Sequence, residues 1–195
     1  MILEIDKKNC NEYLLGIANV HYSAYSKKHF TSCFNKLKLA EYYKNLINNS
    51  DLTLVFLDEN NDISGFIVAG YTVGSGVADF IKSNRLYLMS VFSRNPSFFV
   101  EKVIAIVKSK LPSNQKAIYL EPFRLMSIAV DSQNHSKGIG GALISEFETL
   151  LKSRGIKGYG LSVRKENVRA IKFYLKNGFH IDKETNDSVY YGKDL

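Results

Sequence analysis

The sequence predicts a mixed α/β domain. Short stretches of alternating apolar residues are interleaved with longer stretches at helical spacing, and a glycine-rich turn joins a strand to an amphipathic helix in the second half. The chain has 195 residues, 45% apolar and 23% charged, a globular balance that excludes a disordered tail or a low-complexity fibre. At ~150 residues per domain, the length argues for a single domain over the whole of 1–195.

Ile2 to Ile5 is a short apolar start. From Asn11 to Tyr25, Leu14, Leu15, Ala18 and His21/Tyr22 fall at helical spacing and predict a first helix. Leu39, Tyr42, Tyr43, Leu46 and Ile47 predict a second, ending at the turn cluster Asn48-Asn49-Ser50-Asp51. Leu52 to Leu57 and Ile63 to Val73 read as the two arms of a hairpin around Asp58-Glu59-Asn60-Asn61-Asp62. Residues 74–115 change character: Phe80, Leu86, Leu88, Met89 and Phe92 precede Pro96, which is placed to open a helix through Phe99, Val103, Ile106 and Val107. This stretch reads as a helical insertion, a cover for a cleft or a homodimer face, because it is too apolar and periodic for a linker. Beyond it, Leu125 to Val130 is a strand and Gly138 to Arg154 a helix with Leu143, Phe147, Leu150 and Leu151 on one face and Gly155 just past its end. Tyr159, Leu161 and Val163 alternate as a strand. Asn167 is placed to cap a helix carrying Val168, Ile171, Tyr174 and Leu175, and Phe179 to Ile181 with Val189 to Tyr191 form a terminal strand pair.

Lys plus Arg number 26 against 19 Asp plus Glu, a net charge of +7 that favours an anionic partner. Nucleic acid is not the expected one, since no helix-turn-helix, zinc or RNP-like signature is present. Cys10 and Cys33 lie outside any CxxC or His-rich context, so reduced thiols are expected and a metal site is not. The start of the sequence mixes acids and bases and has no apolar run of signal-peptide length, and nothing reaches the ~18 to 20 apolar residues of a membrane span. A cytoplasmic protein without a membrane span is the expectation.

The central signal is His135-Ser136-Lys137-Gly138-Ile139-Gly140-Gly141-Ala142-Leu143, a glycine-rich turn at the start of a helix. Little side-chain bulk lets an anion approach bare backbone amides, and the helix N-terminus attracts phosphate oxygens. A glycine hinge that only permits tight packing explains the same string when it is taken alone. Neither a P-loop nor a dinucleotide fingerprint fits: no Gly-x-x-x-x-Gly-Lys-Ser/Thr occurs, and Leu143 stands where the third glycine would be.

A second block follows, Asn167-Val168-Arg169-Ala170-Ile171-Lys172-Phe173-Tyr174-Leu175-Lys176-Asn177-Gly178-Phe179. Together the two blocks resemble the GCN5-related N-acetyltransferases (GNAT), whose loop reads Arg/Gln-x-x-Gly-x-Gly/Ala and whose later block reads Asn-x-x-Ala-x-x-Phe-Tyr-x-x-x-Gly-Phe. The resemblance implies a mixed, mostly antiparallel sheet flanked by helices, with the helical insertion between the third and fourth strands. It also implies acetyl-CoA as co-substrate, lying in a gap between the strands at Leu125 to Val130 and Tyr159 to Val163. Ile128, Ala129 and Val130 would flank the pantetheine arm, and the amides of His135, Ser136, Lys137, Gly138, Ile139, Gly140 and Gly141 would hold the pyrophosphate. Asn167 and Ala170 would contact the arm, and Tyr174 would serve the leaving sulfur.

Two positions depart from the family pattern. His135 stands where Arg or Gln usually opens the loop, and Arg124 occupies the place where many relatives carry a glutamate base. Glu121 is the closest carboxylate and the candidate base, directly or through water. The N-terminal half is expected to shape the acceptor site, with His21 and Tyr25 as candidate substrate contacts, although a histidine on an apolar helix face is more often a satisfied core residue. The implied activity is acetyl transfer to a primary amine of a small molecule, an amino sugar or sugar nucleotide among the candidates. A protein or peptide N-acetyltransferase and a non-catalytic acyl-CoA-binding module are the alternatives.

Overall fold

The computed structural model of the chain describes residues 1–25, 30–94, 121–134 and 137–195. The strands are β1 (Ile2–Ile5), β2 (Leu52–Leu57), β3 (Ile63–Gly70), β4 (Arg124–Val130), β5 (Gly158–Arg164), β6 (His180–Glu184) and β7 (Ser188–Asp194). The helices among the described residues are α1 (Leu14–Ala24), α2 (Lys36–Asn48), α3 (Ser75–Ser83), α4 (Arg85–Arg94), α5 (Ile139–Ser153) and α6 (Val168–Lys176). The strands form one sheet in the order β1, β2, β3, β4, β5, β7, β6. Only β4 and β5 run parallel, and every other neighbouring pair is antiparallel.

Because successive strand residues point to opposite faces, β2 and β3 feed two cores. Val55, Phe66 and Val68 pack with α1 and α2 through Ile17, Leu39, Tyr43 and Leu46. Leu54, Ile67 and Ala69 pack with α5 through Leu143, Ile144 and Phe147. Strand β4 serves both sets because its register slips: Val68 pairs with Ser127 but Ala69 with Leu125, leaving Met126 as the extra residue of a bulge. Ser127 and Ala129 thus join the α1 and α2 face, Leu125 joins the α5 face, and Arg124, one residue earlier, turns back to the α1 and α2 side of the sheet.

Several boundaries differ from the sequence expectation for local reasons. The first helix begins at Leu14, because Cys10–Glu12 form a separate 3-10 turn. Strand β3 stops at Gly70, where the Asp51 carboxylate accepts the Tyr71 N–H at 2.7 Å and draws the chain out of the ladder. The hairpin turn is tied by Asp58, whose Oδ1 accepts the N–H groups of Asn60 and Asp62 at 2.9 and 3.0 Å. Helices α3 and α4 lie between β3 and β4; the helix expected from Pro96 lies outside the described residues.

Candidate active site

Strands β4 and β5 share a single register pair, Arg124 with Gly160. Beyond it they diverge, and the divergence opens a cleft of about 1260 Å³ whose walls include Met126 to Val130, Leu161 to Arg164, and the first turn of α5. Such a gap leaves backbone amides and carbonyls of β4 without a strand partner on that side, an edge suited to an extended, amide-bearing ligand. Among the positions expected to hold the coenzyme, Ile128, Ala129, Val130, Gly138, Ile139, Gly140, Gly141, Asn167, Ala170 and Tyr174 all line it.

The glycine turn meets the cleft at its open end. Gly138 adopts a left-handed φ of 79° as the N-cap of α5, and no side chain among the described residues caps that helix. Among the described residues a β-carbon built on Gly138 or Gly141 would find nothing within 4 Å, which leaves room in front of these amides. Gly140 differs: Phe173 of α6 lies 3.4 Å from where its β-carbon would be. Lys137 sits beside the turn, its Nζ donating to Asn134 Oδ1 at 2.9 Å. Asn134 in turn donates to Ser64 Oγ at 3.1 Å, which ties the turn to β3. His135 and Ser136 lie outside the described residues.

Helix α6 forms the opposite wall. Asn167 caps it, its Oδ1 accepting the Ala170 N–H at 3.1 Å. One helical turn on, Tyr174 is held among Phe173, Phe179 and Tyr191. Burial, and then the nearby Tyr25 hydroxyl, push the Tyr174 phenol well above its ordinary pKa. The group therefore keeps its proton and is suited to donate a hydrogen bond into the cleft.

Tyr25 and Ser127 line the cleft from the α1 side and open onto a buried polar chain. Ser127 Oγ is 3.0 Å from both the Tyr25 and Tyr43 hydroxyls. Tyr43 continues to His21 Nδ1 at 2.6 Å, and His21 Nε2 to Thr31 Oγ1 at 2.6 Å. The His21 ring also stacks on Tyr25, with centroids 3.9 Å apart. Of the two expected substrate contacts, Tyr25 is therefore at the cleft wall, whereas His21 is 2% exposed and behind it. Tyr43 stands out in the sequence beside His21 and Tyr25, whereas Ser127 does not. The only local sign was a hydroxyl inside the apolar strand Leu125 to Val130.

At the closed end, where β4 and β5 still pair, Arg124 lies across Gly160, whose β-carbon would overlap the guanidinium. Its Nη1 is buried and has no hydrogen-bond partner among the described residues. Glu121 stands to one side, with its carboxyl carbon 3.2 Å from the β-carbon position of Gly158, and is not among the residues of the cleft wall. Among the described residues no group of His, Cys, Asp and Glu side chains is arranged to hold a metal ion.

Residues 18–179 match the acetyltransferase (GNAT) family. The uncharacterized protein YxbD of Bacillus subtilis (strain 168) is 38% identical over 56 residues, which are 29% of this chain and 35% of that relative, so the match spans about a third of its length. Among solved structures, an aminoglycoside 6'-acetyltransferase type Ii superposes with a TM-score of 0.61 at 16% identity, over 100% of this chain and 96% of that one. The PaiA N-acetyltransferase of Thermoplasma acidophilum in complex with coenzyme A gives 0.56 at 17% identity, over 100% and 99%. The ribosomal-protein-S18-alanine N-acetyltransferase of Escherichia coli gives 0.54 at 16%, over 100% and 94%. At these identities the three superpositions establish a shared fold.

Proposed function

The chain belongs to the acetyltransferase (GNAT) family, and from that premise we propose that it transfers the acetyl group of acetyl-CoA to a primary amine of a small molecule. The observation that carries this reading is the divergence of β4 from β5 beside a helix N-terminus that no described side chain caps. That juxtaposition offers an unpaired strand edge for a pantetheine arm and bare amides for its phosphates. The room in front of Gly138 and Gly141 among the described residues, with Lys137 beside it, supports a diphosphate site there.

When bound, the coenzyme supplies a thioester: its C–S bond breaks, a C–N bond forms, one proton leaves the amine and one returns to sulfur. An alkylammonium with a pKa of ~10.4 loses its proton at pH 7 at a cost of about 4 to 5 kcal/mol, so a base or relay is useful. Glu121 is our candidate. Because it stands outside the cleft wall, it takes this proton through water. Tyr174, held neutral by burial, donates a hydrogen bond to the sulfur. Tyr25 and Ser127 present hydroxyls to the acceptor side of the cleft.

Arg124, standing where many relatives carry a carboxylate, favours a second reading, a non-catalytic acyl-CoA-binding module. Mixing the protein with acetyl-CoA and a panel of amino sugars, sugar nucleotides, polyamines and peptides, while following free thiol, separates the two. Turnover on a small amine supports the first reading, and turnover confined to peptides shifts the acceptor class. Coenzyme binding by calorimetry without turnover on any acceptor supports the second.

A further inference from the structure

One transverse row of the sheet is unlike the rest. Arg124 of β4 pairs with Gly160 of β5, Gly160 with Gly192 of β7, and Gly192 with His180 of β6. Two adjacent glycines at the centre of this row leave a shallow floor, and the flanking side chains lie down on it. Arg124 covers Gly160, while Asp182 Oδ2 and His180 Nε2 come within 2.7 and 2.9 Å of the β-carbon position of Gly192. His180 and Asp182 are joined, Nε2 to Oδ1 at 3.1 Å. Among the described residues Arg124 has no such partner: it is in none of the ion pairs, and its Nη1 is a buried donor with no acceptor. The surroundings penalise its charge through burial, which Tyr190 and Asp182 offset only in part.

A half-buried guanidinium without an acceptor costs stability, and chains do not keep such groups in a packed layer at no gain. The location supplies the gain. Arg124 immediately precedes Leu125, Met126 and Ser127 of the cleft wall, and Gly160 immediately precedes Leu161 and Ser162 on the other side. The phosphate-holding amides of α5 are at the far, open end. The row therefore abuts the end of the cleft where the acyl group meets the acceptor.

We propose that the acceptor amine carries an oxyanion, a carboxylate or a phosphate, and that Arg124 binds this group across the Gly160 and Gly192 floor. The inference rests on the acetyltransferase reading and names its substrate class. Guanidinium is matched to both anions by its planar fork of donors. Glycine at 160 keeps the fork flat against the sheet, and the joined His180 and Asp182 pair closes the far side of the floor, where Asp182 offsets the burial of the cation only in part.

The test measures kcat/KM by thiol release for two matched pairs, L-alanine with L-alaninamide and glucosamine 6-phosphate with glucosamine. Wild type, Arg124→Gln and Arg124→Lys are compared, so that intrinsic amine reactivity cancels in each ratio. The first pair reports a carboxylate and the second a phosphate. In one pair the anionic-to-neutral ratio is expected to fall at least tenfold in Arg124→Gln, through KM, with partial recovery in Arg124→Lys. Direct calorimetric titration with the same anionic amine should lose at least tenfold in affinity in Arg124→Gln, and melting should not fall below wild type, because an uncompensated cation has been removed. Ratios unchanged in both pairs, absence of binding to wild type, or a large drop in melting temperature would each overturn the proposal. Loss of coenzyme binding in wild type would instead fail the acetyltransferase reading, while the amine titration still judges Arg124.

Discussion

His21 Nδ1 and the Tyr43 hydroxyl lie 2.6 Å apart in the core, joining α1 to α2 beneath the wall of the cleft. The pair sits at the middle of a chain of hydrogen bonds that runs from Thr31 to Ser127. The cleft wall at Tyr25 and Ser127 is thereby held from behind by hydrogen bonds as well as by packing.

Replacing Tyr43 with Phe leaves the ring in place among Phe66 and Tyr42 but removes the hydroxyl that serves His21 and Ser127 together. A buried group left unsatisfied costs about 1–3 kcal/mol. Urea denaturation of Tyr43→Phe should report a loss in that range, and an unchanged midpoint would mean that the chain is not maintained in solution.

The same burial gives a pH dependence. The phenols of Tyr25, Tyr43 and Tyr174 are all raised in the folded chain, chiefly by burial. An unfolded tyrosine titrates at about 10, so below that pH the folded and unfolded chains bind the same phenolic protons and the full stability is present. As pH rises past about 10 toward the folded values, the unfolded chain releases protons that the folded chain retains, and stability falls. Denaturant midpoints measured across the alkaline range should decline from about pH 10 upward, and Tyr43→Phe should decline less steeply.

Tyr174→Phe tests the hydrogen bond to the leaving sulfur. General-acid contributions run to about 10²–10⁴-fold, so turnover should drop by two orders of magnitude or more with coenzyme affinity nearly unchanged. The ring packing with Phe173, Phe179 and Tyr191 is retained in this variant, which keeps a folding defect from imitating the effect. Unaltered turnover would remove Tyr174 from the chemistry.

These features were not equally legible in the sequence. The glycine turn and the Asn167 cap are local devices, so their residues and spacing alone place them at helix starts, and both are found there. The polar chain joins residues 22, 84 and 102 positions apart, and no periodicity within a segment reports such pairings. The bulge at Met126 is equally silent, because a slipped register depends on the partner strand; without it Leu125 and Ser127 would share a face. Arg124 could be noticed only as a departure from a family pattern. Its bed of two glycines comes from two other strands, β5 and β7, both far from Arg124 in the chain.

Gly141 offers the last and most discriminating test of the coenzyme site. It lies in the first turn of α5, it does not have a positive φ, and a β-carbon there would meet nothing within 4 Å. By helix propensity alone, Gly141→Ala should be stabilising by up to about 1 kcal/mol, since alanine surrenders less backbone freedom than glycine. If the space before it holds a diphosphate, the added methyl group intrudes on the bound ligand while leaving the free protein better off. The expected result is therefore a higher melting temperature together with weaker coenzyme binding by calorimetry, and Gly141→Val should deepen the binding loss. Gly138→Ala separates from this, because its left-handed backbone makes any side chain costly, about 1 kcal/mol or more, and stability falls with affinity. Full coenzyme affinity in Gly141→Val would mean that the phosphates are held elsewhere and that the turn serves only the packing of α5 on the sheet.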